Sequence, residues 1–340
     1  MTASPPEFAW IVDQPAPIGT GPLRLVEREA VHVPGPAQIR VAVSCCGVCR
    51  TDLHLAEGDL KPKRHGVTPG HEVVGRVDAL GDGASRFGVG DRVGVPWLGR
   101  TDGTCEFCRS GRENLCLAPT FTGWDVDGGY ADHCLVDEAF AYVLPEGLDD
   151  EHAAPLLCAG IIGYRALRTS GLPRGGALGI YGFGGSAHLA AQIALHEGAR
   201  VHVMTRGERN RELATALGVD SVGGSADSPP EPLDAAVLFA PVGELVPVAL
   251  QALNRGGTLA VAGIYLSDIP PLNYERDLFE ERVLRSVTAN TRSDGEQFLT
   301  LAHQFGVKVE TTGYPMSDAP RALADLAAGA FSGAAVLHNT

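Results

Sequence analysis

No stretch of this chain approaches the ~20 consecutive apolar residues needed to cross a bilayer. Its first ten residues, MTASPPEFAW, lack the basic start and apolar core of a secretory leader. Lysine is scarce, with only Lys61, Lys63 and Lys308. Lysine and arginine together number 27 against 41 acidic residues, a net charge of −14. Such a chain is repelled by nucleic acid and by anionic membranes. Internal repeats and low-complexity segments are also missing. These absences lead us to expect a cytoplasmic protein whose partner is a small molecule, with no nucleic acid and no membrane.

What is present begins with size. At 340 residues, with 44% hydrophobic and 20% charged residues, the chain is long enough for about two globular domains. It can bury a full core without disulfide staples. Eight cysteines therefore need another explanation: Cys45, Cys46, Cys49, Cys105, Cys108, Cys116, Cys134 and Cys158. In a reducing compartment, clustered cysteines argue for metal or catalysis before disulfides. Cys45, Cys46 and Cys134 lie in or beside apolar strand patterns and are read as packing residues.

The first 150 residues read as a barrel-like β unit. Short runs such as Ile39–Val43, Glu72–Val77 and Arg92–Val95 are punctuated by Gly and Pro clusters. After about Pro155 strands and helices alternate. Leu178–Tyr181 is followed by a helix over Ser186–Glu197, a strand over Val201–Met204 and a helix over Arg209–Leu217. Apolar runs at Ala235–Phe239 and Thr258–Ala262 continue the pattern. This is the βαβ texture of a doubly wound α/β sheet. Two helical stretches remain, near Asp294–Gln304 and Asp318–Ala328. The expected division is residues 1–160, 161–290 and 291–340, the last returning to the first domain.

Between the first strand and helix of the α/β region stands Gly182-Phe-Gly184-Gly185-Ser186-Ala187. Gly182 permits a tight turn, Gly184 lets backbone approach a pyrophosphate, and small Ala187 allows close helix–strand packing. The helix N-terminus adds N–H donors and a positive dipole end. At the end of the next strand, where a carboxylate would bind the ribose diol of NAD, the sequence has Thr205-Arg206. A hydroxyl and a guanidinium accept a 2′-phosphate, which favours NADP(H) over NAD(H).

Cys105-Glu-Phe-Cys108, with Cys116 eight residues on, is thiolate spacing suited to tetrahedral Zn²⁺. Three thiolates are one ligand short of a closed site. Asp102, three residues before Cys105, supplies a carboxylate where the fourth ligand belongs. Cys49, His71 and Cys158 are too dispersed for spacing alone to join them.

A resemblance joins them. Gly47-Val-Cys-Arg-Thr-Asp-Leu-His54, Gly70-His-Glu-Val-Val-Gly75, the loop 102–116, Asp127-Gly-Gly-Tyr-Ala131, Cys158-Ala-Gly160 and the turn at 182–188 together resemble the zinc-dependent alcohol dehydrogenases of the medium-chain dehydrogenase/reductase family. The likeness spans essentially the whole chain. It implies a GroES-like β-barrel catalytic domain with a Rossmann domain inserted before a C-terminal return. It also implies association through the Rossmann sheets, as a homo-tetramer or a dimer. By position it assigns a catalytic zinc to Cys49, His71 and Cys158, with Glu72 as alternate ligand. Asp52 becomes the acceptor that orients His71. Thr51 and His54 become a proton relay, and Arg50 and Arg292 cofactor-side arginines. Three positions depart from the family pattern: Asp102 for the usual first cysteine, Ala187 for the third glycine, and Thr205 for the acidic residue of NAD-specific members.

The implied reaction is hydride transfer between a nicotinamide cofactor and an alcohol or aldehyde. Two zinc ions per chain are expected, one catalytic and one structural. Trp97 and Trp124, with Ile264 and Leu266, are candidates to line an apolar pocket, which suggests a medium-sized apolar or aromatic primary alcohol. The alternatives are a secondary-alcohol or polyol dehydrogenase of the same family and a catalytically silent nucleotide-binding homologue. A zinc hydrolase is disfavoured because it needs no dinucleotide turn.

Overall fold

Along Gln38–Val48, Ile39, Val41 and Val43 are buried while Gln38, Arg40 and Ala42 are only partly so. That period of two is the mark of a strand with one face on a core. In the computed structural model, which describes residues 7–28, 33–331 and 333–339, this strand is the axis of a mainly antiparallel sheet. The order of its strands is Thr311–Pro315, Ala334–His338, Gln38–Val48, Val73–Leu80, Arg92–Val95 and Tyr142–Val143, with His133–Asp137 also pairing with Gln38–Val48. Val73, Val77, Val93, Val95, Cys46 and Leu337 meet in one apolar cluster. Cys45, Cys46 and Cys134 are buried. The strand expected from Glu72 begins one residue later, at Val73, which leaves Glu72 at its entrance.

This sheet belongs to a first unit made of Met1–Cys158, Ala289–Leu299 and Val309–Thr340. The second unit is Ala159–Thr288 with Thr300–Lys308. Its first strand, Ala177–Tyr181, is buried at every residue, as a parallel strand covered on both faces must be. The order is Ser221–Gly223, Arg200–Met204, Ala177–Tyr181, Leu233–Leu238, Leu253–Val261, Val283–Ser286, all parallel. In chain order that is 3-2-1-4-5-6, the doubly wound dinucleotide-binding topology, with its switch point beside Ala177–Tyr181.

The expected return of all residues after 290 to the first unit needs correction. The helix Arg292–Phe305 starts in the first unit, but Thr300–Lys308 clusters with the second. The cause is specific bonding. The side chain of Gln192 donates to the Lys308 carbonyl at 2.9 Å and accepts from the Lys308 amide at 2.8 Å. His196 stacks on Phe305 at 4.8 Å.

Candidate active site

Cys49 ends the run out of Gln38–Val48 and caps the helix Arg50–Glu57. Its amide donates to Asp52 Oδ2 at 2.9 Å, closing a reciprocal capping box. Asp52 is 1% exposed, and a buried carboxylate must be fully hydrogen-bonded. It accepts from Cys49 N, Gly70 N at 3.0 Å, His71 Nδ1 at 3.2 Å and Tyr130 Oη at 3.3 Å. Gly70 has φ of +99°, and a side chain there would run into the Tyr130 ring and Cys46 Sγ, so glycine is required just before His71.

With Nδ1 committed to Asp52, His71 Nε2 is buried without a hydrogen-bond partner. It shares its surroundings with Cys49, Glu72 and Cys158. One ligand atom from each of the four lies within 4.8 Å of the others, and the two sulfurs are 3.9 Å apart. Such a donor set, with one orphaned imidazole nitrogen, fits a zinc ion. The electrostatics agree. A hydrogen bond from Cys158 holds the Cys49 thiol well below its ordinary range, and sharing that bond pushes Cys158 well above its own. Burial, then the charge on Cys49, raises Glu72. Burial opposes charge on His71, but Asp52 and Cys49 outweigh it and raise the imidazole.

Thr51 is buried, its Oγ1 3.7 Å from Cys49 Sγ. His54 follows one turn later, its Nδ1 3.0 Å from Asp59 Oδ2. Arg50 is exposed in the first turn of the same helix. Arg292 opens the helix Arg292–Phe305. Its amide and Nε donate to buried Glu113 at 3.0 and 3.3 Å, and its guanidinium lies over Phe140. Its charge is thus answered within the first unit.

Asp102, Cys105, Cys108 and Cys116 form a second cluster, again within 4.8 Å. Asp102 Oδ1 accepts from the amides of Cys105 at 2.8 Å and Thr104 at 2.7 Å. These bonds hold its carboxyl well below the usual range. Cys116 Sγ accepts from the amides of Asp102 and Ala118 at 3.3 and 3.4 Å. Burial pushes the Cys108 thiol up to about 11.

Trp97 and Trp124 come together through a residue that sequence reasoning missed. Phe121 stacks on Trp97 at 4.2 Å and on Trp124 at 5.7 Å. The Trp97 ring lies 6.2 Å from that of His71, so the aromatic stack reaches the first cluster. The only signal for Phe121 is its pairing with Leu98, which local periodicity cannot reveal. Tyr130 was also missed as an individual residue, although its motif was noted. In the second unit Ile264 is exposed and Leu266 packs on the core of the parallel sheet.

Also in the second unit, Gly182 has φ of +84°, and a side chain there would strike the Ala240 backbone. A Cβ on Gly184 would meet nothing within 4 Å. That open space lies at the N-terminus of the helix Gly185–His196, which no side chain caps. Ser186 follows in its first turn, and Ala187 is fully buried. The turn thus offers free amides and room for a phosphate. Thr205 is buried and Arg206 exposed at the end of Arg200–Met204.

Two family models match the chain. Residues 35–146 match the alcohol dehydrogenase GroES-like domain, and residues 185–304 match the zinc-binding dehydrogenase domain. The chain is 57% identical over 334 residues to the probable alcohol dehydrogenase AdhA of Mycobacterium tuberculosis, covering 97% of this chain and 96% of that one. Among solved structures, a cinnamyl alcohol dehydrogenase of Sorghum bicolor aligns with a TM-score of 0.88 at 26% identity, over 98% of both chains. A zinc-binding dehydrogenase of Sinorhizobium meliloti bound to NADP aligns with a TM-score of 0.86 at 25% identity, over 98% of this chain and 100% of that one. Two family domains in the expected order, together with a full-length relative at this identity, show that the chain belongs to the zinc-binding alcohol dehydrogenases of the medium-chain dehydrogenase/reductase family.

Proposed function

We propose that this chain is a zinc- and NADP(H)-dependent alcohol dehydrogenase and aldehyde reductase for medium-sized apolar or aromatic primary alcohols. The observation that carries this reading is the orphaned Nε2 of His71 within reach of Cys49, Glu72 and Cys158. Cys49, His71 and Cys158 would hold a catalytic zinc, with Glu72 as alternate ligand. Asp102, Cys105, Cys108 and Cys116 would hold a structural one. Bound zinc would supply Lewis-acid polarisation of the substrate oxygen, and the nicotinamide would supply or accept the hydride.

The chain's own residues do the rest. Asp52 keeps the His71 ring in one tautomer and one orientation. Thr51 Oγ1, close to Cys49 Sγ, is the acceptor for the alcohol proton. His54, held by Asp59 and partly open to water, exchanges that proton with solvent. Trp97, Phe121 and Trp124 exclude water and receive the apolar part of the substrate. The amides at Gly184, Gly185 and Ser186 receive the pyrophosphate, and the small Ala187 lets the helix sit close to the strand. Arg206 makes no ion pair among the described residues and is free for a 2′-phosphate, beside Thr205. Arg50 is free for another cofactor phosphate. The subunits would associate at the edge strand Val283–Ser286 of the parallel sheet, as a tetramer or a dimer.

Initial rates on a panel of alcohols and aldehydes, with each nicotinamide cofactor, test this reading alongside metal analysis. The expected result is faster turnover of aromatic primary substrates with NADPH and zinc at both clusters. A clear NADH preference would refute the role given to Arg206. Zinc-free protein of full activity would refute the mechanism.

A further inference from the structure

We propose that Tyr130 is a positioning residue for the metal-binding imidazole, acting through Asp52. The inference rests on reading Cys49, His71 and Cys158 as zinc ligands. The motif Asp127-Gly-Gly-Tyr130 lies along the segment that leads into His71. Asp127 Oδ1 accepts from Thr68 N at 2.8 Å. The amides of Gly128, Gly129 and Tyr130 donate to the carbonyls of Thr68, Gly70 and Pro69 at 2.8, 2.9 and 3.0 Å. Both glycines lie against the Thr68–Val73 segment too closely for a side chain. The motif therefore fixes the backbone that carries His71.

Its last residue does something more specific. Tyr130 is fully buried, its ring against Gly70, and a buried phenol needs an acceptor. That acceptor is Asp52 Oδ2, at 3.3 Å. The two oxygens of Asp52 divide their work. Oδ1 takes Gly70 N and His71 Nδ1, while Oδ2 takes Cys49 N and Tyr130 Oη. The donors on Oδ2 come from opposite elements, the helix cap and the 127–130 segment. Together they fix the rotation of the carboxylate, and with it the place of Oδ1. Removing the phenol leaves Oδ2 with one donor and lets the group that orients His71 turn.

The test is Tyr130→Phe in the full chain, which deletes one oxygen and keeps the ring on Gly70. Zinc is titrated into metal-free protein against a chromophoric chelator, with Cys49→Ala marking the His71 site and Cys108→Ala the other. The metal-free melting temperature, kcat and KM are measured in parallel. Zinc affinity at the His71 site is expected to fall about tenfold, in the range found for outer partners of metal ligands. The Cys105 site should not change. kcat should fall while the KM for the nicotinamide cofactor holds. In an Asp52→Asn background, Tyr130→Phe should add nothing. Unchanged affinity at the His71 site would overturn the proposal. So would equal weakening at both sites with a large drop in metal-free melting temperature, which marks a packing role, or a full additive loss in the Asp52→Asn background. If the unsubstituted protein takes up no zinc that Cys49→Ala removes, the zinc reading itself fails.

Discussion

The two donor clusters are built by opposite strategies. Around His71 the ligands are far apart in sequence, the imidazole and Glu72 are buried, and one carboxylate with four donors sets the geometry. Around Cys105 the ligands fall within fifteen residues of one loop, Asp102 is exposed, and the bonds that shape the site come from the loop's own amides. If both hold zinc, the first does so through a geometry set by residues distant in sequence, and the second through a geometry set within one loop.

The difference is sharpest in a pair of single substitutions. Cys49→Ala should lower kcat by about a thousandfold or more, since a Lewis acid supplies several kcal/mol, and leave nucleotide binding intact. Cys108→Ala should lower the melting temperature and cost less than about tenfold in kcat, the low end of the effect of support residues around a metal site. Rate measurements beside thermal melts check both. If Cys108→Ala abolished turnover in a protein of unchanged stability, the division of labour would be broken.

Metal removal should follow the same line. A mild chelator is expected to empty the exposed Cys105 loop first, so metal content falls while activity persists. Loss of activity in step with the first metal released, followed by elemental analysis and assay of the same samples, would reverse the assignment. Asp102→Cys should tighten zinc in the loop and raise the melting temperature by a few degrees, with no change in kcat. A titration against a chelator and a melt decide that. The smallest effect is expected at the aromatic stack. Phe121→Leu should raise KM for an aromatic alcohol about fivefold, from an aromatic pairing worth about 1 kcal/mol. KM for a short aliphatic alcohol and the metal content should not move.

The same contrast explains what could be read in advance. The clustering of Cys105, Cys108, Cys116 and Asp102 is legible because a loop is a local object, and spacing is its signature. Cys49 and His71 are not. They meet because Gln38–Val48 pairs antiparallel with Val73–Leu80, with Cys46 opposite Val73. The residues just beyond one strand and just before the other thus leave by the same edge. Only the family resemblance joined them. The phosphate turn and the alternating strands were visible from pattern, since the central parallel strand Ala177–Tyr181 is a continuous apolar run buried at every residue and a glycine-rich turn follows it. The fate of the helix Arg292–Phe305 was not, because an amphipathic pattern shows that a face is buried and not which core buries it. Gln192 and His196 made that choice. Phe121 and Tyr130 touch partners on neighbouring segments; nothing local marks Phe121, and the motif around Tyr130 does not show which residue the phenol reaches.

The strand Ala334–His338 completes the sheet beside Gln38–Val48, with Val336 opposite Gly47 and Leu337 opposite Cys46. In biosynthesis this sets an order. The 159–288 segment leaves the ribosome as an unbroken piece and can begin to fold while the earlier sheet still lacks two strands, Thr311–Pro315 and Ala334–His338. At 5–20 residues per second, on the order of ten seconds or more pass between synthesis of Cys158 and of the sheet's last strand, Ala334–His338. Through that interval the strand leading to Cys49 lacks its pairing partner on one edge. If the His71 site takes a metal, its sheet is complete only after translation of residues more than two hundred and fifty positions downstream of His71.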